Sequence, residues 1–353
     1  MQKYISSQPF PLESGGILPS LEIGYQTFGE RNAKCDNVLW VFHALTANAD
    51  VSDWWHGLFG AGKALDPSRY FIVCANVLGS CYGSSNPTSQ DPRTGKPYYG
   101  NFPRLVTIRD MVQAHRLLAQ HLGIQQIALG IGGSLGGQQL LEWAVQEPER
   151  FERILPIATN AKHSPWGIAF NESQRLALEA DPTLWYPSRL AGKAGLKAAR
   201  AMALLSYRNY QTYQYSQADT EDTLQDFKAV SYQRYQGDKL VARFHAQSYY
   251  VLSKAMDAHD VGRGRGGVAE ALARVQAQAR VVGIRSDVLF PIEEQQLIAQ
   301  VIPNAQYVEI DSDYGHDGFL IEWELLNAIV LDFLSPIASK NQKFERNPLR
   351  ISA

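Results

Sequence analysis

The run Gly132-Gly133-Ser134-Leu135-Gly136-Gly137 restricts the possible folds of this chain more than any other stretch. It follows the apolar segment QIALGI (126–131) and opens a helical pattern from about Gly137 to Gln146, closed by Pro148. A chain that passes from strand to helix within so few residues needs glycines where the two elements pack closely. In that context G-x-S-x-G puts the serine on a strained turn with its hydroxyl clear of the sheet. The helix N-terminus behind it favours negative charge at the same point. The bland alternatives are a plain glycine-rich turn or a phosphate-binding loop. A G-x-G-x-x-G fingerprint belongs beside a first strand and a P-loop needs Gly-Lys-Ser/Thr, and neither fits here.

The surrounding rhythm sets the fold class. VLWVF (38–42) and YFIVCA (70–75) read as strands buried on both faces. Residues 107–122 read as a helix, with Thr107 and Asp110 as an N-terminal capping pair and Gly123 as its stop. ILPIA (154–158) is a further strand. Such βαβ alternation implies a mostly parallel sheet with helices on both faces. Near residue 160 the rhythm breaks. From there to about 275 the patterns are helical, and eight of the 17 tyrosines fall between Tyr207 and Tyr250. The Gly262-Arg263-Gly264-Arg265-Gly266-Gly267 stretch reads as a loop. Strands at 279–284 and 305–310, a helix at Glu293–Ile302 and an amphipathic helix at Phe319–Leu334 follow. The expected organisation is a first core part (1–160), an inserted helical lid (161–275) and a second core part (276–353). The polar tail after Pro336 is expected to fray.

Composition narrows the function classes. The formal net charge is −2, which argues against non-specific nucleic-acid binding and against a polybasic membrane surface. No apolar run approaches the ~18 residues of a membrane span, and the N-terminus has no apolar signal core. Three cysteines, with no C-x-x-C, exclude a disulfide framework and point to a reduced, cytoplasmic protein. None of the eight histidines forms an H-x-x-x-H or H-x-x-E-H metal motif, so no metal is expected.

A serine hydroxyl is a poor nucleophile without a base. His316, in Asp313-Tyr314-Gly315-His316-Asp317, lies between a late strand and the last helix, and Asp287 follows the strand ending at Ile284. The order Ser134, Asp287, His316 is that of the α/β hydrolases. Both late residues fall at C-terminal ends of strands, where open sheets build their sites. His316 is expected to shuttle the serine proton, and Asp287 to orient the imidazole. The oxyanion donors expected are the N–H of Leu135 and that of Leu45, in the loop after VLWVF, with Thr46 as its neighbour.

These pieces together resemble the homoserine O-acetyltransferase family over roughly residues 15–335. The stretches that carry the resemblance include FHALTANADV (42–51), GKALDPSRYFIVCANVLGSCYGS (62–84), PRTGKPYYGNFPRLVTIRDMV (92–112), GGSLGGQQLLEWA (132–144), GLKAARAMALLSYR (195–208), GIRSDVLFP (283–291) and DYGHDGFL (313–320). The resemblance implies an α/β-hydrolase core with a helical lid. It implies acetyl transfer from acetyl-CoA to the hydroxyl of L-homoserine by a ping-pong acyl-serine route, on the way to methionine. Acetyl-CoA is then a co-substrate, with no tightly bound cofactor, and the protein a homodimer joined through the lid helices. Ser134, Asp287 and His316 match the family triad. Arg200 matches a grip for the substrate carboxylate, Tyr207 a side chain that helps hold the amino acid, and Asp317 the receiver of its ammonium.

Each of those residues has a plainer reading: a lid ion pair for Arg200, packing for Tyr207, a helix N-cap for Asp317. The same triad also serves succinyl-CoA or L-serine transferases, and esterases or thioesterases that use water. Ala47 stands where the family pattern has glycine, and Leu135 where it often has methionine. Cys81 reads as a structural thiol. The 262–267 loop is either a mobile lid connector or a contact for CoA phosphates.

Overall fold

The computed structural model describes residues 1–335. The expectation of a frayed tail after Pro336 lies outside them. Eight strands form one sheet: β1 (Gln2–Ser6), β2 (Leu21–Phe28), β3 (Val38–Phe42), β4 (Phe71–Ala75), β5 (Ile127–Gly133), β6 (Phe151–Ile157), β7 (Gln278–Ile284) and β8 (Ala305–Ile310), in the order β1-β2-β4-β3-β5-β6-β7-β8. β4 through β8 pair in parallel, while β2 is antiparallel to both β1 and β4. The two N-terminal strands are an addition to the sequence reading. β2, LEIGYQTF, carries a glycine and polar side chains, and so lacks the continuous apolar run that marks the central strands.

The central strands are buried on both faces, with side chains alternating between two cores. Trp40 and Phe42 of β3 pack on one face with Trp143 and Phe151, in edge-to-face contact at 5.1 Å between the Trp40 and Trp143 rings. Leu39 and Val41 face the other way, toward Trp55, Phe319 and Val330. The first face is covered by α1 (Ile108–His121), α2 (Leu135–Gln146) and α9 (Ile292–Val301), and the second by α10 (Trp323–Leu334). Helix α1 begins with a complete capping box. Thr107 Oγ1 accepts from Asp110 N, and Asp110 Oδ2 accepts from Thr107 N at 2.8 Å. Gly123 then ends the helix with φ +65°.

Between β6 and β7 no strand intervenes, and helices α3 (Pro165–Glu179), α4 (Lys193–Tyr207), α5 (Tyr210–Gln217), α6 (Lys228–Val241), α7 (Ala246–Asp257) and α8 (Val268–Leu272) follow one another. The 262–267 loop is pinned to the core. Arg265 pairs with Glu142 at 2.6 Å and Arg263 with Glu13 at 3.0 Å.

The helix expected over Phe319–Leu334 is broken. A short turn, Gly318–Ile321, ends at Glu322, and α10 starts at Trp323. The indole of Trp55 donates to the Phe319 carbonyl at 2.9 Å, and the indole of Trp323 to that of Leu320. Side chains therefore take carbonyls that a continuous helix would use for its own ladder.

Candidate active site

Ser134 sits between β5 and α2 with φ +57° and ψ −125°, a conformation costly for any residue with a Cβ. Three contacts hold the turn. Ser134 N–H donates to Ile157 O at 3.0 Å, and Ser134 O accepts from Gln138 N–H at 3.1 Å and from Thr159 Oγ1 at 2.7 Å. Glycine is obligatory at two flanking positions. A Cβ at Gly136 would collide with the Phe42 carbonyl, and one at Gly132 would lie 2.7 Å from the Gly136 carbonyl carbon. The helix can thus start directly against β3 and aim its N-terminus at the serine.

Asp287 and His316 come together as the chain order predicts. His316 Nδ1–H donates to Asp287 Oδ2 at 2.7 Å, and Asp287 Oδ1 accepts from the N–H groups of Leu289 (2.8 Å) and Phe290 (2.9 Å). The carboxylate is buried yet fully engaged, and its bond to Nδ1 leaves Nε2 of the neutral ring as the basic atom. The imidazole is clamped by Phe290, stacked at 5.1 Å, and by Phe319, edge-on at 5.3 Å. Ser286 ties the two loops. Its hydroxyl donates to Ser312 O and accepts from Gly315 N–H at 3.1 Å. Ser134 and His316 open into the same cavity, of about 560 Å³.

The loop after β3 forms a turn in which Ala47 N–H donates to Ala44 O at 3.0 Å. Leu45 therefore occupies the second turn position, and its N–H has no protein acceptor among the described residues. The same holds for the N–H of Leu135 at the first position of α2. Ala47 adopts this turn without a positive φ, so the glycine of the family pattern is dispensable here. His43 supports the turn, a role the sequence reading missed. Its Nε2 accepts from Val77 N–H at 3.1 Å, which requires the proton on Nδ1, and Nδ1–H donates to Ala44 O at 2.8 Å. Burial pushes its pKa down to about 4, keeping that tautomer neutral.

Arg200, Tyr207 and Asp317 all line the cavity. The Arg200 guanidinium lies 5.4 Å over the Tyr207 ring, its Nε is buried without a partner, and it forms no ion pair among the described residues. The alternative of a lid ion pair for Arg200 is thereby removed. Asp317 occupies the N-cap position before Gly318, but its side chain makes no capping hydrogen bond. Its Oδ2 lies 3.0 Å from Arg208 Nε, an arginine that sequence reasoning did not single out. Burial pushes the Asp317 carboxyl above the usual carboxylate range, while Arg208 and then Arg200 pull it back. Thr46 also lines the cavity, with its carbonyl bonded to Arg243 Nη1 at 2.5 Å. Cys81 does not line it, and burial pushes its thiol up to about 11, out of the nucleophilic range. Among the described residues no cluster could hold a metal ion, and no helix is long and apolar enough to cross a membrane.

A mostly parallel sheet, a strained serine turn and a buried acid-histidine pair at the strand ends place the chain in the alpha/beta hydrolase fold, whose family model matches residues 37–322. Within that fold the chain belongs to the homoserine O-acetyltransferase family. It is 50% identical to the homoserine O-acetyltransferase of Cyclobacterium marinum over 330 residues, 94% of each chain. Solved structures share the fold closely. A homoserine O-acetyltransferase from Bacillus anthracis superposes with TM-score 0.86 at 24% identity, over 95% of this chain and 97% of that one. An acetylester hydrolase from Corynebacterium glutamicum superposes with TM-score 0.83 at 26% identity, over 94% and 96%.

Proposed function

We propose that this protein transfers an acetyl group from acetyl-CoA to the hydroxyl of L-homoserine through an acetyl-Ser134 intermediate. The observation that carries this reading is the pair of opposite charges facing the Ser134 cavity. Arg200 offers a guanidinium without an ion pair among the described residues and Asp317 a carboxylate that it shares with Arg208, which together suit a zwitterionic amino acid.

In this scheme Ser134 Oγ attacks the thioester carbonyl while His316 Nε2 takes its proton. The N–H groups of Leu45 and Leu135 receive the oxyanion. The C–S bond breaks, and the proton passes from His316 to the leaving thiolate. Homoserine enters with its carboxylate on Arg200 and its ammonium on Asp317, and Tyr207 packs beside it. His316 removes the hydroxyl proton, the hydroxyl oxygen attacks the acetyl carbon, and Ser134 leaves with the returned proton. Exposed Met202, Leu205, Tyr210, Tyr215 and Tyr235, on α4 to α6, support a homodimer joined through these helices.

The test is CoA-thiol release from acetyl-CoA without acceptor, with L-homoserine and with L-serine, each repeated with succinyl-CoA. Release that requires acetyl-CoA and homoserine supports the proposal. Acceptor-independent release assigns the site to hydrolysis, and a preference for serine or succinyl-CoA assigns another transfer.

A further inference from the structure

The Ser134 cavity is lined by a second pair of cations that the transfer chemistry leaves unused. Lys239, in the last turn of α6, and Arg243, just past it, are four residues apart and line the cavity together with Gln236. Lys239 forms no ion pair among the described residues, and the adjacent Asp238 is engaged by Lys197 at 2.6 Å. Among the described residues the Arg243 guanidinium meets neutral oxygens: Thr46 O, Thr46 Oγ1 at 3.5 Å and the Tyr82 hydroxyl at 2.7 Å. Two carboxylates line the cavity, Asp53 and Asp317, and Asp317 is already beside Arg208, so Asp53 is the one lining carboxylate left against Lys239 and Arg243. The other lining cations have other work, with Arg208 matched to Asp317 and Arg200 assigned above to the acceptor carboxylate.

We propose that Lys239 and Arg243 bind the phosphate groups of the acyl-CoA donor at the cavity mouth. The inference rests on the acetyl-transfer reading above. A thioester can reach Ser134 only if the opposite, multiply charged part of the donor stays outside, because phosphates are costly to bury without cations. Lys239 supplies a mobile point charge, and Arg243 retains N–H donors beyond those given to Thr46 and Tyr82. Arg243 also holds the carbonyl next to Leu45, so donor binding and the oxyanion turn share one side chain.

The test is calorimetric binding of CoA and of pantetheine, which lacks the nucleotide and phosphates, to Ser134→Ala protein with and without Lys239→Gln. CoA is expected to bind at least about tenfold more tightly than pantetheine at low salt. Lys239→Gln should shrink that gap about five- to tenfold, Lys239→Arg should restore it, and high salt should shrink it in the parent. CoA binding no tighter than pantetheine, or a gap unchanged in Lys239→Gln, overturns the proposal. Because neither ligand carries a succinyl group, a role for these cations in holding a dicarboxylic acyl chain would leave the gap unchanged. Failure of the transfer assay with the Lys239-dependent gap intact supports the phosphate site and overturns the acetyl-transfer reading. Intact transfer without the gap overturns the phosphate site alone.

Discussion

Replacing Arg200 with methionine separates binding of the acceptor from stability of the fold. In the proposed complex the guanidinium makes two charge-assisted hydrogen bonds to the homoserine carboxylate. At about 1.5–3 kcal/mol each, the pair contributes about 3–6 kcal/mol, or about 10²–10⁴ in kcat/KM for homoserine. The loss should fall on discharge of the acetyl-enzyme. The folded state loses much less. Arg200 has a buried Nε without a partner and no ion pair among the described residues, so an uncharged thioether side chain packed on Tyr207 breaks no ion pair and gives up only the cation–π contact. With about 2.1 cal/mol/K per residue, the unfolding entropy of a 353-residue chain is about 0.7 kcal/mol/K, so a loss of about 1 kcal/mol lowers Tm by only between about 1 and 2 °C. Steady-state kinetics with varied homoserine and a thermal melt read both quantities. A Tm that falls by several degrees together with activity would show that Arg200 is structural and refute the reasoning.

Other perturbations test neighbouring parts of the account. Arg208→Met removes the main cation opposing the burial of Asp317, so that carboxyl rises further. KM for homoserine should increase at neutral pH and recover as pH is raised, which a KM–pH profile would reveal. Buried His43, His115 and His163 have pKa values near 4 and His259 near 3, so below the unfolded value of about 6.5 the unfolded chain binds more protons. Each then costs about 1 kcal/mol of stability between about pH 6.5 and 5.5. Glu294, with a pKa near 7, acts in the opposite sense by about 1 kcal/mol, leaving a net fall of about 3 kcal/mol, measurable as a lower urea midpoint. Gly136→Ala forces a methyl into the Phe42 carbonyl. It should abolish labelling of Ser134 by an active-site serine reagent even in whatever folded fraction circular dichroism detects.

The readable parts of this molecule were those in which a residue type is forced by local geometry. The Ser134 turn needs glycines at fixed positions, and the Thr107–Asp110 capping box occupies four consecutive residues, so both are visible in the chain alone. Asp287 and His316 were legible through their place after strands and their order. The resemblance to a family added Arg200, Tyr207 and Asp317, which no spacing would have revealed. What escaped depends on contacts between distant segments. Arg208 meets Asp317 from another element, Arg243 reaches Thr46 from 197 positions away, and His43 acquires its role from the Val77 N–H. The break at Glu322 is imposed from outside the helix by Trp55, and β2 is a strand because β1 and β4 flank it.

The central claim, an acetyl group carried on Ser134 between donor and amino acid, is tested most directly by intact-protein mass spectrometry after rapid mixing with acetyl-CoA. The account predicts one acetyl adduct, mapped to Ser134 and absent in Ser134→Ala, that L-homoserine discharges as O-acetylhomoserine faster than water hydrolyses it. Acetyl transfer to homoserine that proceeds at full rate in Ser134→Ala, or an adduct that homoserine leaves to hydrolysis, would contradict it.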